Sequence, residues 1–200
     1  MAELSDFMVS KVRAKLIELF FRNPSEMWYV RELTRLTGEE INAVRRELAR
    51  MTESGMVKSE ERGNRLYYML NHHYEFFPEL LTAVAKTSGL GKDMKRNRKK
   101  LGDIDFIMFS GKFARFGSHS NTDVDILIVG NVVLPELSVL VKKEEEKRGY
   151  EINYTVISKE EFEFRKERRD PFLREILAGS RVMIIGSEDE MLETKPQLST

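Results

Sequence analysis

The sequence predicts an α+β protein of two domains, and three observations predict it. Before about residue 88, apolar residues recur at helical spacing around one pair of strand-like runs. After about residue 103, strand-like runs at 104–109, 122–130, 150–157 and 181–186 alternate with helical stretches, the pattern of an α/β domain with a small mixed sheet. Between them, residues 89–102 carry Lys92, Lys95, Arg96, Arg98, Lys99 and Lys100 bracketed by Gly89, Gly91 and Gly102, and read as a basic linker joining domains at 1–88 and 103–200. The composition agrees: 41% hydrophobic, 33% charged and five prolines in 200 residues describe a chain that folds around its own core. The absence of cysteine excludes a disulfide framework, a thiolate zinc site, an iron–sulfur cluster and a cysteine nucleophile. The opening Met-Ala-Glu-Leu-Ser-Asp has neither the basic start nor the apolar run of a signal peptide, and no stretch approaches the ~20 apolar residues of a membrane span. A cytoplasmic setting with no membrane partner is expected.

In the first domain, Phe7, Met8, Val12, Leu16, Leu19 and Phe20 predict a helix over 7–21, stopped by Asn23-Pro24-Ser25. Val30, Leu33 and Leu36 form a second stripe that Thr37-Gly38 breaks. Ile41, Val44, Leu48 and Met51 form a third, ended by Gly55, giving a helix, a tight turn and a helix. Opposite that last stripe stand Asn42, Arg45, Arg46 and Arg50, side chains able to reach base edges or phosphates. Glu39, Glu40 and Glu47, on or near the same helix, oppose phosphate. Met56 to Glu60 and Arg65 to Leu70 flank the turn-rich Glu61-Arg62-Gly63-Asn64, which places Arg62, Asn64 and Arg65 at a hairpin tip. A stripe of Phe76, Phe77, Leu80, Leu81, Val84 and Ala85 over 74–86 suits core packing or self-association. His72, His73 and His119 lack the spacing of a helical zinc motif and are read as structural or surface residues.

Residues 1–100 hold 19 Lys+Arg against 14 Asp+Glu, and residues 101–200 hold 14 against 19. Such asymmetry predicts a basic half that meets an anion and an acidic half that meets a cation or performs carboxylate chemistry.

In the second domain, the strand Ile104 to Phe109 runs into Ser110-Gly111-Lys112-Phe113-Ala114-Arg115. A further strand starts with Thr122-Asp123-Val124-Asp125 and continues as Ile126 to Val129. Side chains two apart on a strand share a face with Cα atoms about 6.5–7 Å apart, so Asp123 and Asp125 are expected to hold one cation, magnesium being the natural guest. The glycine-led turn is expected to offer backbone N–H groups to an anion such as a triphosphate, a layout for phosphoryl or nucleotidyl transfer. The run Glu144 to Glu146 among Lys142, Lys143, Lys147 and Arg148 reads as the solvated face of a helix buried through Leu137, Leu140 and Val141, and neither it nor Lys159 to Arg169 is assigned a site.

Two resemblances cover most of the chain. Leu33 to Val57, with Gly38 at the turn and Gly55 before the Arg62-Gly63-Asn64-Arg65 tip, resembles the winged helix-turn-helix transcription regulators over about residues 5–71. That resemblance implies a regulator that binds double-stranded DNA, as a homodimer on paired half-sites. Gly111, Ala114, Arg115, Thr122, Asp123 and Asp125 match in register the signature of minimal members of the DNA polymerase β-like nucleotidyltransferase superfamily, over about residues 103–186. This resemblance implies a nucleoside triphosphate held by Gly111, Lys112 and Arg115, and Mg²⁺ held by the catalytic acids Asp123 and Asp125. Lys112 stands where the family has serine, and Asn153 stands at the third acid position, with Glu151 two residues away as its substitute. The expected function is therefore a DNA-binding transcription regulator whose second domain binds nucleotide and Mg²⁺ with weak or lost catalysis. The alternatives are an active nucleotidyltransferase that moves a nucleoside monophosphate from the triphosphate to an acceptor, and an antitoxin-type protein-interaction module.

Overall fold

The computed structural model describes residues 8–117 and 123–193 together with Leu4, so Phe7, Thr122 and His119 lie outside the described residues. The chain is mixed α+β, with eleven helices and two small sheets among the described residues, and divides into two compact units, Met1–Thr87 and Ser88–Thr200.

Unit 1 begins with α1 (Lys11–Arg22), capped by Ser10, whose hydroxyl accepts from the Arg13 N–H. There follow β1 (Met27–Tyr29), α2 (Val30–Thr37), α3 (Ile41–Glu53), β2 (Val57–Arg62), β3 (Arg65–Leu70) and α4 (Phe77–Thr87). Gly38 ends α2 at φ 68, the left-handed region that turns the chain into α3. The strands β2 and β3 pair until Arg62 stands opposite Arg65, leaving Gly63-Asn64 as a two-residue tip whose Gly63 φ of 62 favours glycine. The sheet order is β1-β3-β2. The short β1, which no alternation announces in the sequence, pairs Trp28 with Tyr68. The core is built from Leu16, Ile17, Phe20, Phe21, Leu33, Val44, Leu48 and Met51. Phe77, Leu81 and Val84 turn the buried side of α4 into this unit's own interior, with the Phe77 ring 5.1 Å from that of Phe21.

Unit 2 comprises α5 (Gly89–Arg96), α6 (Arg98–Leu101), β4 (Gly102–Ser110), α7 (Gly111–Ala114), β5 (Ile126–Val132), α8 (Leu134–Arg148), β6 (Tyr154–Ile157), α9 (Lys159–Glu167), α10 (Pro171–Ala178), β7 (Arg181–Ile185) and α11 (Glu188–Leu192). Its sheet runs β6-β5-β4-β7, with β5 and β6 parallel and the other pairs antiparallel. Phe106, Met108, Leu127, Val129, Ile157, Phe162 and Leu173 pack one cluster, while Ile107, Phe109, Ile126 and Ile128 are as deeply buried. Burial on both faces explains why β5 reads as a continuous apolar run.

Residues 89–102, expected as a linker, instead form α5, α6 and the start of β4, and Leu90, Met94 and Leu101 are buried in unit 2. The reason is spacing: Leu90 and Met94 stand four apart on one helical face while the lysines and arginines occupy the rest. Moving the boundary to Thr87 also removes the expected charge asymmetry. Unit 1 holds 13 Lys+Arg and 13 Asp+Glu, and unit 2 holds 20 of each. Among the described residues no helix is long and apolar enough to cross a membrane.

Candidate functional site

On unit 1 the outer face of α3 is cationic. Asn42, Arg45, Arg46 and Arg50 are all exposed, as are Arg62, Asn64 and Arg65 at the hairpin tip. Arg45 Nη1 donates to Asn42 Oδ1 at 3.4 Å, and the Arg65 guanidinium lies 4.6 Å over the Tyr29 ring. The acids that oppose phosphate are engaged within the unit. Glu47 is buried and accepts from Arg13 Nε at 2.8 Å and Arg50 Nη1 at 3.2 Å. Burial pushes its carboxyl up, but hydrogen bonds from Arg13 and Ser10 and the charges of Arg13 and Arg50 prevail and hold it below the ordinary value. Glu39 pairs with Lys15 at 2.6 Å. Glu40 caps α3, accepting from the Asn42 and Ala43 N–H groups at 2.8 and 2.9 Å, and these amides hold its carboxyl below the usual range. Two candidates escaped the sequence reading: Arg31 and Arg35, exposed on α2, which packs against α3. Their four-residue spacing was the available signal.

On unit 2 a cavity of about 310 Å³ is lined by Ser110, Gly111, Lys112, Asp123, Val124, Phe172, Glu175, Ile176, Gly179 and Ser180. Ser110 ends β4 and caps α7 by accepting from the Phe113 N–H at 3.2 Å. Gly111 is required by close approach, because a Cβ there would stand 1.9 Å from Ser180 Oγ. Lys112 Nζ donates to Asp123 Oδ2 at 2.7 Å, and this contact pushes the ammonium above its ordinary value and keeps it charged. Arg115 Nη1 donates to Ser180 Oγ at 3.2 Å, so its guanidinium abuts one wall.

Several expectations for this domain change. Asp123 and Asp125 precede β5, which starts at Ile126, so strand alternation does not place them on one face. Asp123 lines the cavity, whereas Asp125 is 5% exposed and fastens the sheet. Its N–H donates to Asn153 O at 2.8 Å, its carbonyl accepts from Ser110 N–H at 2.8 Å, and its Oδ2 accepts from Asn153 N–H at 3.0 Å. Two amides of the glycine turn are engaged within the unit: Gly111 N–H donates to Ser180 O at 2.6 Å and Phe113 N–H to Ser110 Oγ. Glu151 and Asn153 line a different cavity, with Ser138, Lys142, Glu145 and Tyr154. Asn153 thus lies against Asp125, as expected of the third acid position, while Asp123 lines a cavity that Glu151 and Asn153 do not.

A magnesium ion takes about six oxygen ligands in near-ideal octahedral geometry, usually one or two carboxylates with waters and phosphate. Here the cavity presents two carboxylates, Glu175 and Asp123, the latter with an ammonium already on its Oδ2, and the neighbouring Asp125 Oδ2 is used by a backbone amide. No group of three or more His, Cys, Asp or Glu suited to a metal occurs among the described residues. As arranged, these donors do not fit the ion.

The charged run on α8 also departs from its expected solvated role. Glu144 and Arg148 are buried together, with side chains 4% and 6% exposed and Arg148 Nε donating to Glu144 Oε1 at 3.0 Å. Arg148 Nη1 donates to the Phe113 carbonyl at 3.0 Å, and the guanidinium lies 3.8 and 3.9 Å from the Phe113 and Phe116 ring centres. It thus holds the turn that carries Lys112 and Arg115. Phe172, Glu175 and Ser180 were likewise missed as cavity residues; an exposed phenylalanine one turn before a glutamate on α10 was the signal. No protein-family model matches the chain, and comparison with curated proteins and with solved structures returns no match.

Proposed function

We propose that this protein is a DNA-binding transcription regulator: unit 1 is a winged helix that lays α3 in the major groove of double-stranded DNA, and unit 2 is a nucleotidyltransferase-like domain that binds a nucleotide as effector rather than turning it over. The observation that carries the reading is the segregation of charge on α3. Arg45 and Arg46 are exposed, while Glu39, Glu40 and Glu47 are committed to Lys15, to backbone amides and to Arg13. At the hairpin tip Arg65 and Arg62, the latter paired with Glu60 at 3.0 Å, are the side chains expected to reach the DNA backbone as a wing. Two copies on paired half-sites follow as the expected assembly, which sedimentation on DNA measures.

For unit 2, binding without turnover is favoured by the altered acid set. Asp125 is engaged in the sheet, Asn153 at the third acid position carries no charge, and the other carboxylate on the cavity of Asp123 is Glu175, from a different element. The test is fluorescence anisotropy with duplex DNA across a salt series, with and without nucleotide, and assay of each mixture for pyrophosphate. Affinity that falls steeply with salt, responds to nucleotide and releases no pyrophosphate is expected. Absence of DNA affinity at low ionic strength ends the regulator reading, and pyrophosphate release abolished by Asp123→Ala replaces the effector reading with a transferase.

A further inference from the structure

We propose that Lys112 is a tethered cation standing in place of a divalent metal, so that the unit 2 cavity takes the phosphate of a nucleotide in its metal-free form. The inference rests on the effector reading above and specifies its ligand.

Asp123 on the cavity lining is met by a cation that the chain itself supplies: Lys112 Nζ lies 2.7 Å from Asp123 Oδ2. An incoming divalent ion must displace that ammonium or sit beside it, and like charges at such separation repel. The signature's second carboxylate, Asp125, is 5% exposed, and its Oδ2 accepts from Asn153 N–H, while the other carboxylate on the lining is Glu175.

What excludes a cation favours an anion. An ammonium carries three N–H donors and Asp123 Oδ2 takes one, so Lys112, with a side chain 68% exposed, presents the remainder to the cavity mouth. The hydroxyls of Ser110 and Ser180 also line the cavity, and Arg115, outside the lining, donates to Ser180 Oγ. A phosphate at Lys112 is therefore met by an ammonium and hydroxyls without a metal ion. The lining also holds the apolar side chains of Val124, Phe172 and Ile176, which suit a base. Glu175, three residues from Phe172, lines it too, and its carboxylate repels phosphate but can accept from a base's exocyclic amino group. A nucleoside phosphate with its phosphate at Lys112 and its base at Phe172 uses both kinds of lining residue.

The test uses the full chain and two probes. The first is calorimetric titration of AMP and ATP in EDTA and again in excess Mg²⁺, for the wild type and Lys112→Ala. The expected result is binding that is as tight or tighter in EDTA and about tenfold weaker or more in Lys112→Ala, the loss of a charge-assisted contact. Binding that appears only with Mg²⁺ overturns the tethered-cation inference and leaves the nucleotide reading standing. Absence of binding in both conditions overturns the nucleotide reading and the inference with it. The second probe is Mn²⁺ alone, followed by electron paramagnetic resonance. Wild type is expected to show no site dependent on Asp123, and Lys112→Ser is expected to gain one. A wild-type Mn²⁺ site lost in Asp123→Ala contradicts the proposal whatever the nucleotide does.

Discussion

Both units carry equal numbers of cationic and anionic side chains and both contain ion pairs, yet the α3 face of unit 1 and the cavity of unit 2 place their charges differently. On α3, Glu47 is buried against Arg13 and Arg50 and Glu40 caps the helix, so Arg45 and Arg46 stand outside, with Glu53 exposed only at the helix end. In unit 2 opposite charges stand on one another: Lys112 on Asp123, Arg148 on Glu144, Lys159 on Asp105 and Lys143 on Asp93. The comparison teaches that net charge says nothing here about partners. Segregated charge makes a long-range field that attracts a polyanion, whereas paired charge is locally neutral and recognises a ligand only through geometry.

The strongest way to break the paired arrangement is Arg148→Ala. It strands Glu144 in the interior, and loss of one partner of a buried pair costs about 3–5 kcal/mol. Urea unfolding of unit 2 is expected to show that loss, and the paired replacement Glu144→Leu with Arg148→Met is expected to lose much less. An equal loss in both would mean that packing against Phe113 and Phe116, not charge pairing, is what Arg148 provides.

The segregated arrangement is sharpened by Arg45→Ala and Arg46→Ala. Each is expected to weaken duplex binding by about 1–3 kcal/mol if it reads a base, or to flatten the salt dependence by about one contact if it holds phosphate. Thermal stability is expected to stay within ~0.5 kcal/mol, because both side chains are exposed.

Smaller effects come from titration. Because Glu47 is held below its ordinary value of 4.5, folded unit 1 binds fewer protons than the unfolded chain over the acid range. That stabilisation is complete above the ordinary value and is lost as pH falls through the folded-state value. Glu47→Gln is expected to lower stability at neutral pH and to flatten its decline as pH falls below the ordinary carboxylate value, followed by circular dichroism. Smallest of all, Lys112→Ala is expected to leave the melting temperature unchanged, since the pair it breaks is exposed, while altering nucleotide binding as described.

What was legible in the sequence was local. The helix stripes, Gly38, Gly63 and the arginine face of α3 each announce themselves within a few residues, because periodicity and positive φ are properties of short windows. What was not legible depended on distant partners. β1 is three residues long and exists because Tyr67 to Met69 pair with it. Glu144 and Arg148 look solvated until Phe113, 35 positions away, supplies the acceptor. Asp125 looks like a ligand until Asn153, 28 positions away, takes its Oδ2. The segment 89–102 looks like a linker because its charges outnumber its apolar residues, and Leu90, Met94 and Leu101 nevertheless pack it into unit 2. The candidate site followed the same rule: sequence found Gly111, Lys112, Arg115 and Asp123, and missed Ser180 and Phe172, which the fold brings to them.

The most direct test of the central claim is the salt dependence of duplex binding by the wild type against the Arg45→Ala/Arg46→Ala double variant. A logarithmic slope near −0.9 per phosphate contact is expected in the wild type, with affinity reduced or slope shallower in the variant at unchanged stability. Failure of the wild type to bind at low ionic strength, or a variant indistinguishable from it in both affinity and slope, would contradict the account.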